Sequence, residues 1–365
     1  MRLPQSQGPR TKSPVTPASV DPAPIVHHLR GVFASRLLVA AVAHLRVFEH
    51  VAAERHTLES LRHALQLAER PACVLFPSLR AMGLLTVDAT GAVSLTPTGK
   101  FLTHTEPCHL IDYVGLEAGD SGVLEMVARL RHDGPLSNDG VAFVKDDAAL
   151  SPMDVPHTAR AFTLALAGRA RLLAPLAARA MPASAGHLLD VASGTGFFTY
   201  EWLRANPQAR ATVLDRPAVL EVARELLREF ATRDAAAATV PRRVDFLPGD
   251  MLQDALPRAD VILAASVFHD WPEAVCRHLM QRFADALPTG GTLCIHDSFL
   301  NDAMDGPLAM TDYSTQLFWH TKGRLYSRAE FRAWMTCAGL LSTSSDTPTL
   351  MDYALITATK SAAQP

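Results

Sequence analysis

The chain has 365 residues, 48% of them apolar, and a formal charge of −3. That length exceeds what one hydrophobic core usually serves and predicts two domains, and the near-neutral charge gives no electrostatic case for a nucleic-acid or anionic-membrane partner. Cys73, Cys108, Cys276, Cys294 and Cys337 stand far apart with no C-x-x-C, which fits neither a disulfide framework nor a cysteine zinc site and points to the cytoplasm.

Residues 1–24 are polar and hold Pro4, Pro9, Pro14, Pro17, Pro22 and Pro24, which predicts a disordered tail. No apolar run there reads as a signal peptide, and no span reads as long enough to cross a bilayer. Residues 25–105 read as a helical, winged-helix-like dimerisation domain. Leu29, Val32, Phe33, Leu37, Leu38, Val42, Leu45, Val47 and Phe48 recur at helical spacing. So broad a stripe predicts helices packed on something large, such as the second subunit of a homodimer. Residues 57–69 and 71–84 read as short helices, with Thr57 as N-cap and Pro71 in a first turn. The D-A-T-G turn that follows joins two short strands. The second helix offers phosphates only Arg80, so dimerisation is favoured over DNA binding. Residues 106–182 read as linker and substrate-cavity helices. An arginine from 129–131 or 160–171 could pair there with a substrate carboxylate.

Residues 183–365 carry an α/β pattern. Strands are expected at 188–192, 211–215, 244–247, 261–266, 292–297 and 353–359. Helices are expected at 197–205, 218–230, 272–286 and 328–338. This is a doubly wound, Rossmann-like sheet. Its first strand leads into H-L-L-D-V-A-S-G-T-G-F-F at residues 187–198. The glycines let the backbone approach a ligand. Thr199 stands where G-x-G-x-x-G needs its third glycine, and no Walker motif occurs, so a dinucleotide or triphosphate is disfavoured. Asp215 ends the next strand, where a carboxylate can accept hydrogen bonds from ribose hydroxyls. Asp190, Ser193, Asp250, residues 266–269 and Asp297 fall at the other strand ends.

The string D-V-x-S-G-T-G with its downstream acid resembles motif I of S-adenosylmethionine-dependent methyltransferases. From about residue 25 to 360 the chain resembles the plant-type O-methyltransferase family and its bacterial relatives. The matching strings include V-L-D-R-P, L-P-G-D-M, F-H-D-W-P-E-A-V-C and L-P-T-G-G-T-L-C-I-H-D. The resemblance implies a winged-helix dimerisation domain followed by a Rossmann-like methyltransferase domain. It also implies S-adenosylmethionine bound by Ala192, Gly194, Asp215, Asp250, Met251 and Ser266, with Asp215 on the ribose and Asp250 and Met251 beside the adenine. In oxygen-methylating members the histidine at His269 is the general base, oriented by two acids. Asp297 stands at the first of those positions and Leu325 near the second, and Ala265 replaces a lysine common before the histidine.

His269, Asp297 and His320 lie 28 and 23 residues apart, and two imidazoles with one carboxylate could form a facial triad for Fe(II) or Zn(II). This pattern resembles a metal-dependent 2-oxo acid C-methyltransferase branch of the family. The resemblance implies enolisation of a small-molecule 2-oxo acid on a divalent metal and methylation of C3, giving a β-methyl amino acid precursor. Asp270 or a metal-bound hydroxide would take the proton. The alternative is O-methylation of a phenolic or polyketide hydroxyl, with His269 as base.

Overall fold

The computed structural model describes residues 20–134, 151–184, 186–343 and 346–361. Most of the expected tail, residues 1–19, lies outside that description. The chain divides into two compact units. One comprises Pro24–Ala142 and Phe299–Ala329, and the other Met1–Ala23, Phe143–Ser298 and Glu330–Pro365.

The first unit is mainly helical. Helix α1 (Ala23–Val39) runs into a π turn at Ala40–His44 and is followed by α2 (Val47–Ala53). Strand β1 (His56–Thr57), α3 (Leu58–Ala64), α4 (Glu69–Ala81), β2 (Leu85–Val87) and β3 (Ala92–Leu95) come next. Thr57 caps α3 as expected: its hydroxyl accepts from the Ser60 amide at 3.1 Å, and the Ser60 hydroxyl accepts from the Thr57 amide at 2.9 Å, the reciprocal capping box. The strands form a small sheet in the order β1-β3-β2, so helix, helix and hairpin stand in the winged-helix arrangement. Leu37, Val47, Phe48, Leu61, Leu75 and Leu79 build the core. Arg80 gives its guanidinium to the Ala303 and Met304 carbonyls and to Asp305. Helices α5 (Ile111–Gly115) and α6 (Ser121–His132) follow.

In the second unit, α7 (Pro156–Ala180) packs against α8 (Phe197–Ala205) and α9 (Pro217–Phe230). Parallel strands β4 (His187–Val191), β5 (Arg210–Asp215), β6 (Val244–Pro248), β7 (Val261–Ala265) and β8 (Thr292–Ser298) form the main sheet, with α10 (Glu273–Ala286) between β7 and β8. Helix α11 (Leu308–His320) belongs to the helical unit, whereas most of α12 (Arg328–Cys337) belongs to the sheet unit. Strands β9 (Leu340–Ser342), β10 (Thr347–Pro348) and β11 (Tyr353–Lys360) complete the chain, with β11 antiparallel to β8. The sheet order is β10-β11-β8-β7-β4-β5-β6, with β9 on β11.

The six expected strands and the four helices expected after residue 183 all form, with no end displaced by more than one residue. The short edge strands β9 and β10 carry too few residues for periodicity to show. The chain leaves β4 in one direction through β5 and β6 and returns beside it as β7. That reversal opens the crevice in which such sheets bind ligands, beyond the carboxyl ends of β4 and β7.

One expectation needs correction. Segments Ala23–His44 and Pro156–Ala180 are long and apolar enough, by length and composition alone, to cross a membrane. Alanine and leucine raise their hydropathy, yet α7 also carries Arg160, Arg169, Arg171 and Arg179 and packs on α8 and α9 within its unit.

Candidate active site

The site is built on the carboxyl rim of the sheet unit. After β4, Ala192 turns at φ 53°, and Gly194 and Gly196 follow at 57° and 73°. The left-handed region is inexpensive only for glycine. A Cβ on Gly194 would meet nothing within 4 Å, whereas one on Gly196 would strike the Tyr200 ring. Gly196 is therefore required by packing, and the space beside Gly194 is open to a ligand. The Ser193 hydroxyl is buried with no partner among the described residues.

Asp215, at the end of β5, faces this turn. Its Oδ2 accepts from the Gly194 amide at 2.7 Å and its Oδ1 from the Arg216 amide at 2.7 Å. Burial pushes its carboxyl up to about 6, against the lowering pull of these two amides. Past β6, Asp250 accepts from the Leu252 amide at 2.8 Å and from Arg216 Nη1 at 3.2 Å, and Met251 is buried beside it. A clamped carboxylate, an open glycine turn and an unpartnered hydroxyl fit the nucleoside half of S-adenosylmethionine. Asp190 departs from the rim. It is buried under α8, where it accepts from the Thr199 hydroxyl at 2.6 Å, and burial pushes it up to about 7.

At the end of β7, Ser266 takes φ 58° and its amide donates to the His296 carbonyl at 2.9 Å. A 3-10 turn over Phe268–Asp270 then carries His269. His269 Nδ1 lies 2.5 Å from Asp297 Oδ1, and both side chains are buried. An ionised carboxylate can only accept, so Nδ1 carries the hydrogen and Nε2 is the basic nitrogen. Nε2 stands 3.8 Å from Asp270 Oδ1. Burial opposes the imidazolium, but the charges of Asp297 and Asp270 outweigh it and push His269 up to about 9. His296, next in sequence to Asp297, faces the other way. Its ring stacks on Tyr353 at 5.4 Å and its Nε2 bonds the Thr349 hydroxyl, and burial pushes it down to about 4.

The structure does not support the expected metal triad of His269, Asp297 and His320. Among the described residues no group of three His, Cys, Asp or Glu side chains is placed to hold a metal ion. Asp297 is turned onto the Nδ1 nitrogen of His269, which makes it the orienting partner of that imidazole. His320 ends α11 in the helical unit, its ring edge-on to Phe33 at 5.3 Å. Desolvation lowers its pKa. The residues present do not fit the metal.

Sequence reasoning missed two contacts. Arg169 on α7 donates to the Tyr353 hydroxyl at 2.8 Å across 184 residues. Arg216 forks onto Asp154, 62 residues away. No local pattern signals pairs so distant. Of the other arginines considered as substrate partners, Arg129 is engaged with Glu125 and the Trp319 carbonyl, Arg160 with Glu225, and Arg171 with Glu229, while Arg131 is exposed near the end of α6.

The family model for the O-methyltransferase domain matches residues 157–341, the segment that holds this rim. The chain belongs to the O-methyltransferase family. The methyltransferase is thus one of the enzymes that use S-adenosylmethionine as donor. It is similar to an O-methyltransferase family 2 protein from Planctomyces limnophilus solved with apigenin. That pair shares 36% identity and a TM-score of 0.83, over 96% of this chain and 99% of the other. The 3-hydroxy-5-methyl-1-naphthoate 3-O-methyltransferase of Streptomyces sahachiroi is 29% identical over 319 residues, 85% of this chain and 86% of that protein. The acetylserotonin O-methyltransferase of Bos taurus is 36% identical over 152 residues, covering 42% of the methyltransferase and 41% of the bovine enzyme.

Proposed function

We propose that this chain transfers the methyl group of S-adenosylmethionine to a hydroxyl on an aromatic ring, with His269 as general base. The observation that carries this reading is the buried His269–Asp297 pair at 2.5 Å. S-adenosylmethionine, when bound, supplies a methyl group made electrophilic by its sulfonium. Asp215 takes the ribose, Asp250 and Met251 the adenine, and Ala192, Gly194 and Ser266 the strand-end backbone around them.

His269 Nε2 accepts the hydroxyl proton as the oxygen attacks, while Asp297 holds the ring and balances the imidazolium that forms. A base at about 9 lies within about one unit of a phenol near 10, so the transfer is almost balanced in energy. An aliphatic alcohol is a far weaker acid and a poorer match. The relatives support the same class: one is solved with apigenin and one is named for methylating a hydroxynaphthoate. Their names describe methylation at oxygen, which favours this reading over carbon methylation of a 2-oxo acid.

The test is to supply labelled donor with a flavone or hydroxynaphthoate and locate the new methyl by NMR. A methyl on oxygen, undiminished by chelator and lost in His269→Ala, is the expected result. A methyl on C3 of a 2-oxo acid would reverse the reading.

The proposal includes a homodimer formed by the helical unit. Ile25, Leu29 and Val32 of α1 are 72%, 59% and 48% exposed, and their spacing puts them on one helical face. Sedimentation at micromolar concentration should give twice the chain mass.

A further inference from the structure

The residue after the ribose acid does more than continue the chain. Arg216 is the N-cap of α9 and touches three carboxylates. Its amide donates to Asp215 at 2.7 Å and its Nη1 to Asp250 at 3.2 Å. Its Nε and Nη2 fork onto the two oxygens of Asp154 at 2.6 and 2.8 Å. Asp154 belongs to a short turn, Pro152–Asp154, just before α7. That turn is internally braced: Asp154 Oδ2 accepts from the Ser151 amide at 3.1 Å, and the Ser151 hydroxyl accepts from the Met153 amide at 3.2 Å. It packs on both α7 and α9.

We propose that Asp154 and Arg216 form a latch that holds the Ser151–Val155 turn against the donor pocket and sets how tightly the adenosine half of the donor is gripped. The inference rests on the donor-site reading given above. Adenosine is neutral, so it cannot balance Asp154, Asp215 and Asp250; the guanidinium is the countercharge. Exposed ion pairs contribute little, but the two-point fork is the strong geometry for arginine and carboxylate. Asp154 is only 16% exposed and Arg216 26%. Without the Asp154 charge, Arg216 is drawn onto Asp250 and Asp215, the groups the nucleoside needs. The turn also loses its tie to α9. Asp154 and Arg216 are positioning residues: they act through the donor pocket and not on the methyl acceptor.

The test uses the full chain with S-adenosylhomocysteine as probe, measuring its affinity by calorimetry and its dissociation by stopped-flow fluorescence. Asp154→Asn should weaken binding about tenfold and speed dissociation, with Asp154→Glu restoring most of both, as expected for loss and regain of a charge-assisted fork. The donor KM should rise while the acceptor KM stays put. In the wild-type chain, hydrogen exchange at the Met153, Asp154 and Val155 amides should slow when S-adenosylhomocysteine binds, a readout that needs no variant to fold. Binding by Asp154→Asn within about twofold of wild type, or exchange at those amides unchanged by the probe, overturns the latch. Asp215→Ala separates the two ideas. If it loses the probe while Asp154→Asn keeps it, only the latch fails. If Asp215→Ala binds normally, the donor site and the latch fail together.

Discussion

His269 Nδ1 and Asp297 Oδ1 approach to 2.5 Å inside the sheet unit, and that one contact fixes what each residue can do. Asp297 Oδ1 also accepts from the Ser298 amide at 2.8 Å, while its Oδ2 is buried with no partner among the described residues. A buried carboxylate so placed draws a proton onto the imidazole. It also holds the ring in one tautomer, with Nε2 as the nitrogen that accepts. Asp297→Asn keeps the shape and removes the charge. Turnover should fall about 100-fold or more, the usual scale of an impaired general base. Donor affinity should stay unchanged, because the nucleoside residues are untouched. Single-turnover kinetics with calorimetry of donor binding checks both halves.

The pH profile should carry the signature of His269. The base must be neutral to work, and its pKa is raised to about 9. Activity at low acceptor concentration should therefore climb through the neutral range, reach half its maximum near pH 9 and level off above it. Asp270→Asn removes one of the charges that raise that pKa and should move the climb to lower pH. For stability the sign is the reverse. The raised pKa stabilises the fold fully below the unfolded value near 6.5, and this contribution disappears as pH rises through about 9. Denaturant titrations between pH 6 and 10 should show a decline that His269→Gln lacks.

Donor binding should weaken in acid. Asp215 sits at about 6 because burial penalises its charge, and on the proposed donor site only the ionised carboxylate can accept from both ribose hydroxyls. The dissociation constant for S-adenosylhomocysteine should rise as pH falls through about 6. Asp215→Asn should bind weakly at every pH, with a flat profile. Calorimetry from pH 5 to 8 distinguishes the two.

Tyr353 joins β11 to α7 through its hydroxyl, which accepts from Arg169 at 2.8 Å. Tyr353→Phe keeps the stack with His296 and loses that bond. Because the donor is charged and the bond part-buried, the cost should be about 1.5 kcal/mol, the low end for a hydrogen bond to a charged group. Urea unfolding gives the number. A loss of activity without a loss of stability would instead tie the hydroxyl to the chemistry.

Much of the fold was legible in order along the chain. The strand at β4, the glycine turn and Asp215 follow from apolar runs stopped by small residues. Thr57 announced its N-cap by residue type alone, while the reciprocal Ser60 half of the box appeared only in the structure. Other features were misread for identifiable reasons. Asp190 looked like a rim acid because its strand position was right, but burial turned it onto Thr199. His320 looked like a ligand because residue type and spacing carry no direction, and its ring lies against Phe33. Both α1 with its π turn and α7 passed for ordinary helices, although their alanine and leucine content gives them membrane-span hydropathy.

The sequence by itself determined the class of enzyme, the glycine turn and the acid that faces it at the end of β5, because these lie within local strings whose backbone needs are met by residue type. Only the tertiary structure decided that Asp297 orients His269, that Arg216 reaches Asp154, and that His320 belongs to another unit. Side-chain direction and long-range pairing are set by how strands and helices pack, and no spacing along the chain contains that information.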